Sequence, residues 1–287
     1  MKPSKSKKQI TPKTLRALTK SGALSKQAQR ELRAFTKQLL ASCNYWILAQ
    51  YRKKERGEIK ALSFALRVKL SELLEQWQKK ANGYSKDFAL KYQKAVESHI
   101  DSAFLRQGKQ YALKNKSSSK ITEARRASLY EQTALIKTIP QEIIRRYEGS
   151  LYNAIDNFDL SAIQKRLRQI SEVSIRRTEI IARDQISKAM ESYHSARSQE
   201  LGLTHYVWQT AGDERVSDGK GGHRALNGRI YRYDTPTAII DSYGNRGHTS
   251  ERVCCRCVSL PLLLEPNQSL RLVRDATHGD YYEIVEK

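Results

Sequence analysis

Arg177-Thr178-Glu179-Ile180-Ile181-Ala182-Arg183, then His205-Tyr206-Val207-Trp208-Gln209-Thr210, then Cys254-Cys255-Arg256-Cys257: these three segments decide how the chain folds. The first lies on a helix expected over residues 174–201. Its apolar positions Ala182, Ile186, Ala189, Tyr193 and Ala196 alternate four and three apart, a narrow seam rich in small side chains. Such a seam permits close contact within the fold or between subunits, so an oligomer stays open. Glu179 and Arg183 are one turn apart and can pair, worth about 0.3–0.5 kcal/mol where exposed. Gly202 supplies the left-handed cap that stops the helix. Residues 205–210 then alternate as a strand does, and residues 229–233 and 258–260 are further short strands. A small antiparallel sheet on the long helix brings the glycine-rich loop 211–228 near residues 254–257. The expected fold is mostly α: a helical N-terminal module followed by a small α+β module, residues 171–265.

The chain has 287 residues, enough for two modest domains, and 39% hydrophobic with 29% charged residues suits a soluble folded protein. No apolar run has the length of a membrane span, and the Lys-rich N-terminus lacks the apolar core of a signal peptide. No membrane partner is expected, and the protein is expected to stay in the cytoplasm where it is made. Three of the four cysteines fall within residues 254–257, unlike an extracellular disulfide framework. In a reducing compartment such clustering points to metal or to small buried side chains. Lys and Arg number 52 against 30 Asp and Glu, a net charge of +22. That excess favours nucleic acid, because each neutralised phosphate releases counterion. The other reading is a solvated basic surface that keeps the chain soluble or meets an acidic protein.

Residues 1–24 read as a basic, flexible arm, since no acidic residue occurs before Glu31. Lys2, Lys5, Lys7, Lys8, Lys13 and Arg16 are its candidate phosphate contacts. Residues 25–170 read as a helical domain. Ser25 is placed as an N-cap, and Leu32, Phe35, Leu39, Cys43 and Trp46 follow at helical spacing, which makes Cys43 a core thiol. Gly57 ends that helix. A second runs over residues 58–81, Gly83 interrupts, and a third starts at Ser85 and Asp87; the three form an antiparallel bundle. Residues 114–120 read as a polar loop, Thr122 and Glu123 as another helix start, and Pro140 as the first turn of a further helix. Asp159 or Ser161 caps a short helix through Ile170. Residues 266–287 read as a C-terminal tail.

Taken in order, Arg177, Glu179 and Arg183 on the helix, the aromatic strand, Asp213-Glu214-Arg215, His223-Arg224-Ala225-Leu226-Asn227-Gly228 and Cys255-Arg256-Cys257 form a recognisable series. The chain here resembles the Mu F-like minor head proteins of tailed bacteriophages, the phage head morphogenesis family. Its members show R-x-E-x-I-A-R, D-x-R, H-x-x-L-(D/N)-G and C-R-C. The resemblance implies a structural, non-enzymatic minor capsid protein of the virion, inside the capsid near the portal. It implies the portal protein, other capsid proteins and packaged double-stranded DNA as partners, with the helical domain as the docking surface. Arg177, Glu179, Arg183, Asp213, Arg215, Asn227 and Gly228 are then structural motif residues.

Zinc takes four ligands from Cys and His. Cys255 and Cys257 match the family's C-R-C and His223 its histidine, with His248 and Cys254 as further candidates. Cysteines separated by one residue share a metal only if the backbone turns between them. Many family members carry C-x-x-C soon after D-x-R, where this chain reads Val216-Ser217-Asp218-Gly219-Lys220. Zn2+ is therefore set against buried thiols and a turn-capping histidine. The alternative function is a metal-dependent nuclease or toxin-like enzyme built on Asp213, Glu214, His223 and His248. No nuclease motif, P-loop, dinucleotide fingerprint or G-x-S-x-G supports it. A free cytoplasmic nucleic-acid-binding protein is the third reading.

Overall fold

The structure, a computed structural model, describes residues 11–16, 20–52, 59–107, 118–155 and 159–287. Lys2, Lys5, Lys7, Lys8, Gly57 and most of the 114–120 loop lie outside them. The described residues form a mostly α chain with an antiparallel sheet, divided into two compact units.

One unit, Ser21–Val96 with Arg125–Ile186, is helical. Helix α1, Gly22–Arg52, begins one turn earlier than expected, because Ser21 rather than Ser25 accepts the Leu24 N–H, at 3.2 Å. Leu32, Phe35, Leu39 and Cys43 form its buried stripe as expected, but the stripe continues to Ile47 while Trp46 is only half buried. Helix α2, Ile59–Arg106, is a single element where two were expected. Gly83 does not break it. Nothing packs where a Cβ would stand, and Ser85 is buried with its hydroxyl donating to the Asn82 carbonyl, 3.2 Å. Trp77, Ala81, Phe88 and Tyr92 carry the buried stripe across the glycine, and Phe35 stacks on Tyr84 at 4.4 Å. That burial outweighs the cost of about 1 kcal/mol for a helical glycine.

The same competition decides Pro140, which lies inside α3, Ser119–Ile155, rather than at the start of a new helix. Ile136 and Ile139 before it and Ile143, Ile144 and Tyr147 after it are all buried, so packing carries the helix over the proline. Helix α4, Leu160–Glu200, is also continuous, and the expected break near residue 170 is absent. Ser174 and Thr178 are buried there, and the Thr178 hydroxyl meets that of Thr36 on α1 at 3.1 Å. The two ends of α4 follow the sequence: Asp159 accepts the Ser161 N–H at 2.8 Å, and Gly202 takes φ +76° while the Leu203 N–H returns to the Ser198 carbonyl, 3.0 Å. Ala182, Ile186, Ala189, Tyr193 and Ala196 are all buried, so the small-residue seam is used inside the chain.

The other unit, Met1–Lys20, Glu97–Ala124 and Ser187–Lys287, holds a six-stranded sheet. Its strands are β1 (Lys13–Thr14), β2 (His205–Gln209), β3 (Ile230–Arg232), β4 (Val258–Leu263), β5 (Gln268–Val273) and β6 (Tyr281–Glu286), in the order β1-β4-β2-β3-β6-β5. All neighbours are antiparallel. Strand alternation sorts side chains to the two faces. Tyr206, Trp208, Tyr231, Tyr233 and Cys257 fill one core, while Val207, Ile230 and Leu262 fill the other.

Two expectations fail in this unit. Residues 266–287 are not a tail but the β5–β6 hairpin, paired from Gln268↔Glu286 to Val273↔Tyr281. Nor is the arm of residues 1–24 wholly free: Lys13 and Thr14 pair with β4, the Leu15 N–H donates to the Pro261 carbonyl at 2.9 Å, and the Leu15 side chain is buried. Lys13 pairs with Glu265 at 2.7 Å, so one candidate phosphate contact is already engaged. The Arg16 backbone N–H donates to Gln107 at 3.1 Å. Among the described residues, no helix is long and apolar enough to cross a membrane.

Candidate metal centre and the motif cluster around it

The 211–228 loop leaves β2 and returns through a short 3-10 helix, His223–Leu226, to β3. Asn227 ties its ends, its side-chain oxygen accepting the Thr210 N–H and hydroxyl at 2.9 and 3.1 Å. Gly228, at φ +81°, turns its N–H onto the Trp208 carbonyl at 2.8 Å. Just upstream, Gly221 sits against Asp241 where a Cβ would lie 2.0 Å from the backbone oxygen. This closeness lets the loop fold in and bury His223.

His223 presents its two nitrogens to different partners. Nε2 meets the Ile240 carbonyl at 3.1 Å, and since a carbonyl only accepts, Nε2 carries the proton. Nδ1 then faces the Sγ atoms of Cys255 and Cys257, each 3.4 Å away. The three ligand atoms lie within 4.8 Å of one another. Tetrahedral zinc with Zn–N near 2.0 Å and Zn–S near 2.3 Å separates N and S by about 3.6 Å, so the spacing fits with little adjustment. A metal-binding histidine that donates its other N–H to a backbone carbonyl is the usual outer-shell arrangement. The residues present therefore fit zinc, with a fourth position left for a further ligand.

The turn expected between the two cysteines is not there: residues 255–257 run on without one, and the turn lies just before them. Cys254 takes φ +62°, and the Cys255 N–H closes a turn onto the Arg252 carbonyl at 3.0 Å. The hydrogen bond from Cys257 pulls the Cys255 thiol well below its ordinary value. Arg256, between the two cysteines, points the other way and forks onto Asp213, with Nη2 2.6 Å from Oδ1. Arg215 holds the same carboxylate at 3.0 Å. Arg256 first, then Arg215, keeps the Asp213 carboxyl far below the usual carboxylate range. D-x-R and C-R-C are thus two halves of one grip.

The other sequence-predicted residues lie apart. His248 is bonded to the Tyr206 hydroxyl through Nδ1, 3.1 Å, and is not in the three-residue group; burial pushes its pKa down. Cys254 is exposed, and Cys43 is a core thiol that burial pushes up to about 12. No carboxylate belongs to the His223–Cys255–Cys257 group, and Asp213 is engaged by two arginines, unlike the open carboxylates a nuclease reading uses. Arg177 and Glu179 are clamps in the helical unit, pairing with Glu142 on α3 and, at 3.1 Å, with Arg33 on α1. Arg183 is exposed one turn on.

Sequence reasoning passed over a buried polar cluster on α4. Glu191 is 8% exposed, and its Oε1 accepts the Thr249 hydroxyl at 2.7 Å and the Ser259 N–H at 3.2 Å. Burial pushes its carboxyl up, against Lys20 and these hydrogen bonds. His194, one turn along, meets the Ser259 hydroxyl at 3.3 Å and is pushed down to about 3 by burial. Helical phase hid it: at about 100° per residue Glu191 lies nearly opposite Ala189, Tyr193 and Ala196, on a side that reads as solvated yet is buried.

Residues 150–260 match the family described as phage Mu protein F like protein, a span that runs from α3 into β4 and contains the whole cluster. This stretch of the chain is phage Mu F-like. An uncharacterized protein of Haemophilus influenzae is 30% identical over 152 residues, covering 52% of this chain and 31% of the relative. The chain thus spans about a third of the length of that relative, 31%. No solved structure matches.

The Asp213 grip has a pH signature. A carboxyl lowered in the folded state adds stability above its unfolded pKa, about 3.9, and loses it as pH falls through the lower folded value. Asp213→Asn should therefore lower the melting temperature at pH 7. The difference from the wild type should shrink in acid below that range, which melts across pH 2–7 will check.

Proposed function

We propose that this chain is a minor structural protein of a tailed-phage head that acts in head assembly. In this reading it sits inside the capsid near the portal, touching the portal protein, other capsid proteins and packaged double-stranded DNA. The observation that carries it is the convergence of D-x-R, H-x-x-L-N-G and C-R-C within a phage Mu F-like stretch. These residues spend their polar groups on one another, which suits a rigid building block better than a turnover site. Tagging the chain in the phage that encodes it and analysing purified virions by mass spectrometry tests this. The protein should be present in far fewer copies than the major capsid protein, and its absence from mature and immature heads would sink the proposal.

Zn2+ held by His223, Cys255 and Cys257 would staple the 211–228 loop to the 254–257 turn. Purified protein should then carry about one zinc per chain, and chelation should lower its melting temperature. Protein prepared without chelator that holds no zinc would leave the two thiols and the histidine as a hydrogen-bonded core.

The DNA contact is supported by the net charge of +22. Contacts to phosphate are blind to sequence and steep in salt. With Lys13 engaged on Glu265, Lys2, Lys5, Lys7 and Lys8 are the arm lysines to test. Replacing all four with Ser should flatten the slope of log affinity against log salt by about 0.9 for each phosphate that is no longer neutralised. An unchanged slope would move the DNA-binding surface off the arm.

A further inference from the structure

The segment from Thr249 to Ser259 carries both cysteines of the metal centre; Cys257 and Cys255 pack on the aromatic core, but the middle of the segment is open. Val253 is 64% exposed and Cys254 is exposed. The backbone there is also strained: Ser250 and Cys254 are non-glycine residues at φ 68° and 62°. Such conformations persist only where the surroundings over-determine them. The surroundings here are polar. The Ser250 hydroxyl donates to the Cys257 carbonyl at 3.1 Å, and Lys20 donates to Ser250 Oγ at 2.5 Å and to the Cys255 carbonyl at 3.4 Å. Glu191 does something none of these does: one oxygen takes a hydrogen bond from each end of the segment.

We infer that Glu191 is the positioning residue of the His223–Cys255–Cys257 centre: it gathers Thr249 and Ser259 onto one oxygen and so sets the turn that presents both sulfurs to Nδ1. Ser259 is two residues from Cys257 and already sits in β4 opposite Trp208, so losing its N–H bond to Glu191 loosens the link between that strand and the loop beside the inner ligand. Glu191, Thr249 and Ser259 are all buried, where no water replaces a lost partner. The hold needs an acceptor oxygen and not a charge, which separates it from a general contribution to stability. Its role toward metal rests on the zinc reading above; its hold on the loop does not.

The test uses the full chain and Zn2+, with affinity measured by competition against a chromophoric chelator and loop opening by hydrogen exchange of residues 249–259 in metal-free protein. Glu191→Leu should weaken zinc binding about 10–100-fold, as loss of an outer-shell partner does, and speed exchange in the loop. Glu191→Gln keeps the acceptor oxygen and should restore both to within about threefold of the wild type, well inside that outer-shell loss. Thr249→Val removes one donor at nearly constant volume and serves if Glu191→Leu fails to fold. Val207→Ala, in the opposite core, should lower the melting temperature while leaving affinity and loop exchange alone. Unchanged loop exchange in Glu191→Leu and Thr249→Val overturns the inference whatever the metal result. Faster exchange in a protein that binds no zinc keeps the hold on the loop and removes the zinc reading.

Discussion

The Asp213 carboxylate is the interaction on which the α+β unit depends. It joins two segments that the strands alone would leave as separate loops, and it does so through Arg256, the residue between the two cysteines. Because Arg256 is pulled outward onto Asp213, its neighbours turn inward, and alternation along an extended segment becomes convergence on His223. The pair is partly exposed, so its value is directional more than energetic. The buried part of the arrangement is compact: a histidine fixed by a carbonyl, two cysteine sulfurs each beside its Nδ1, and Trp208 packed edge to face with the ring.

Strand β2, β3 and the start of β4 were legible because aromatic and β-branched residues alternate there with one face fully buried. The end of α4 was legible because Gly202 has a job only glycine does well. The helical breaks were misread for one shared reason. Gly83, Pro140 and the stretch near residue 170 each carry a local signal to stop, and each is overruled by buried residues on both sides, which local propensity does not count. Strands β5 and β6 were missed because most of their residues are only half buried, so Gln268-Ser269-Leu270-Arg271 looks like surface. Two-residue β1 carries no pattern at all; it exists because β4 offers it an edge.

At the site, residue type and order were enough to name His223, Cys255 and Cys257, and the geometry brings those three together while leaving His248 with Tyr206. What order could not convey is which ring nitrogen faces the sulfurs, or that a glutamate on α4 spans the loop from behind. Both depend on tertiary partners, Ile240 and Ser259, that no spacing rule connects to them.

Strand β1 also dictates a sequence of events in synthesis. Its partners, Leu262 and Leu263, lie about 250 positions further along the chain, as the Lys13↔Leu263 register requires. Further across the sheet, the ladder between β3 and β6 waits for Tyr282. The sheet therefore closes only after residues 258–286 have left the ribosome, whereas α1, α2 and α3 can form from local contacts as they emerge. Until then the edge of β4 is a set of unpaired backbone groups of the kind that pair with a stranger. A short lysine-bearing strand, held by a few hydrogen bonds and one buried leucine, is what closes that edge when folding is complete.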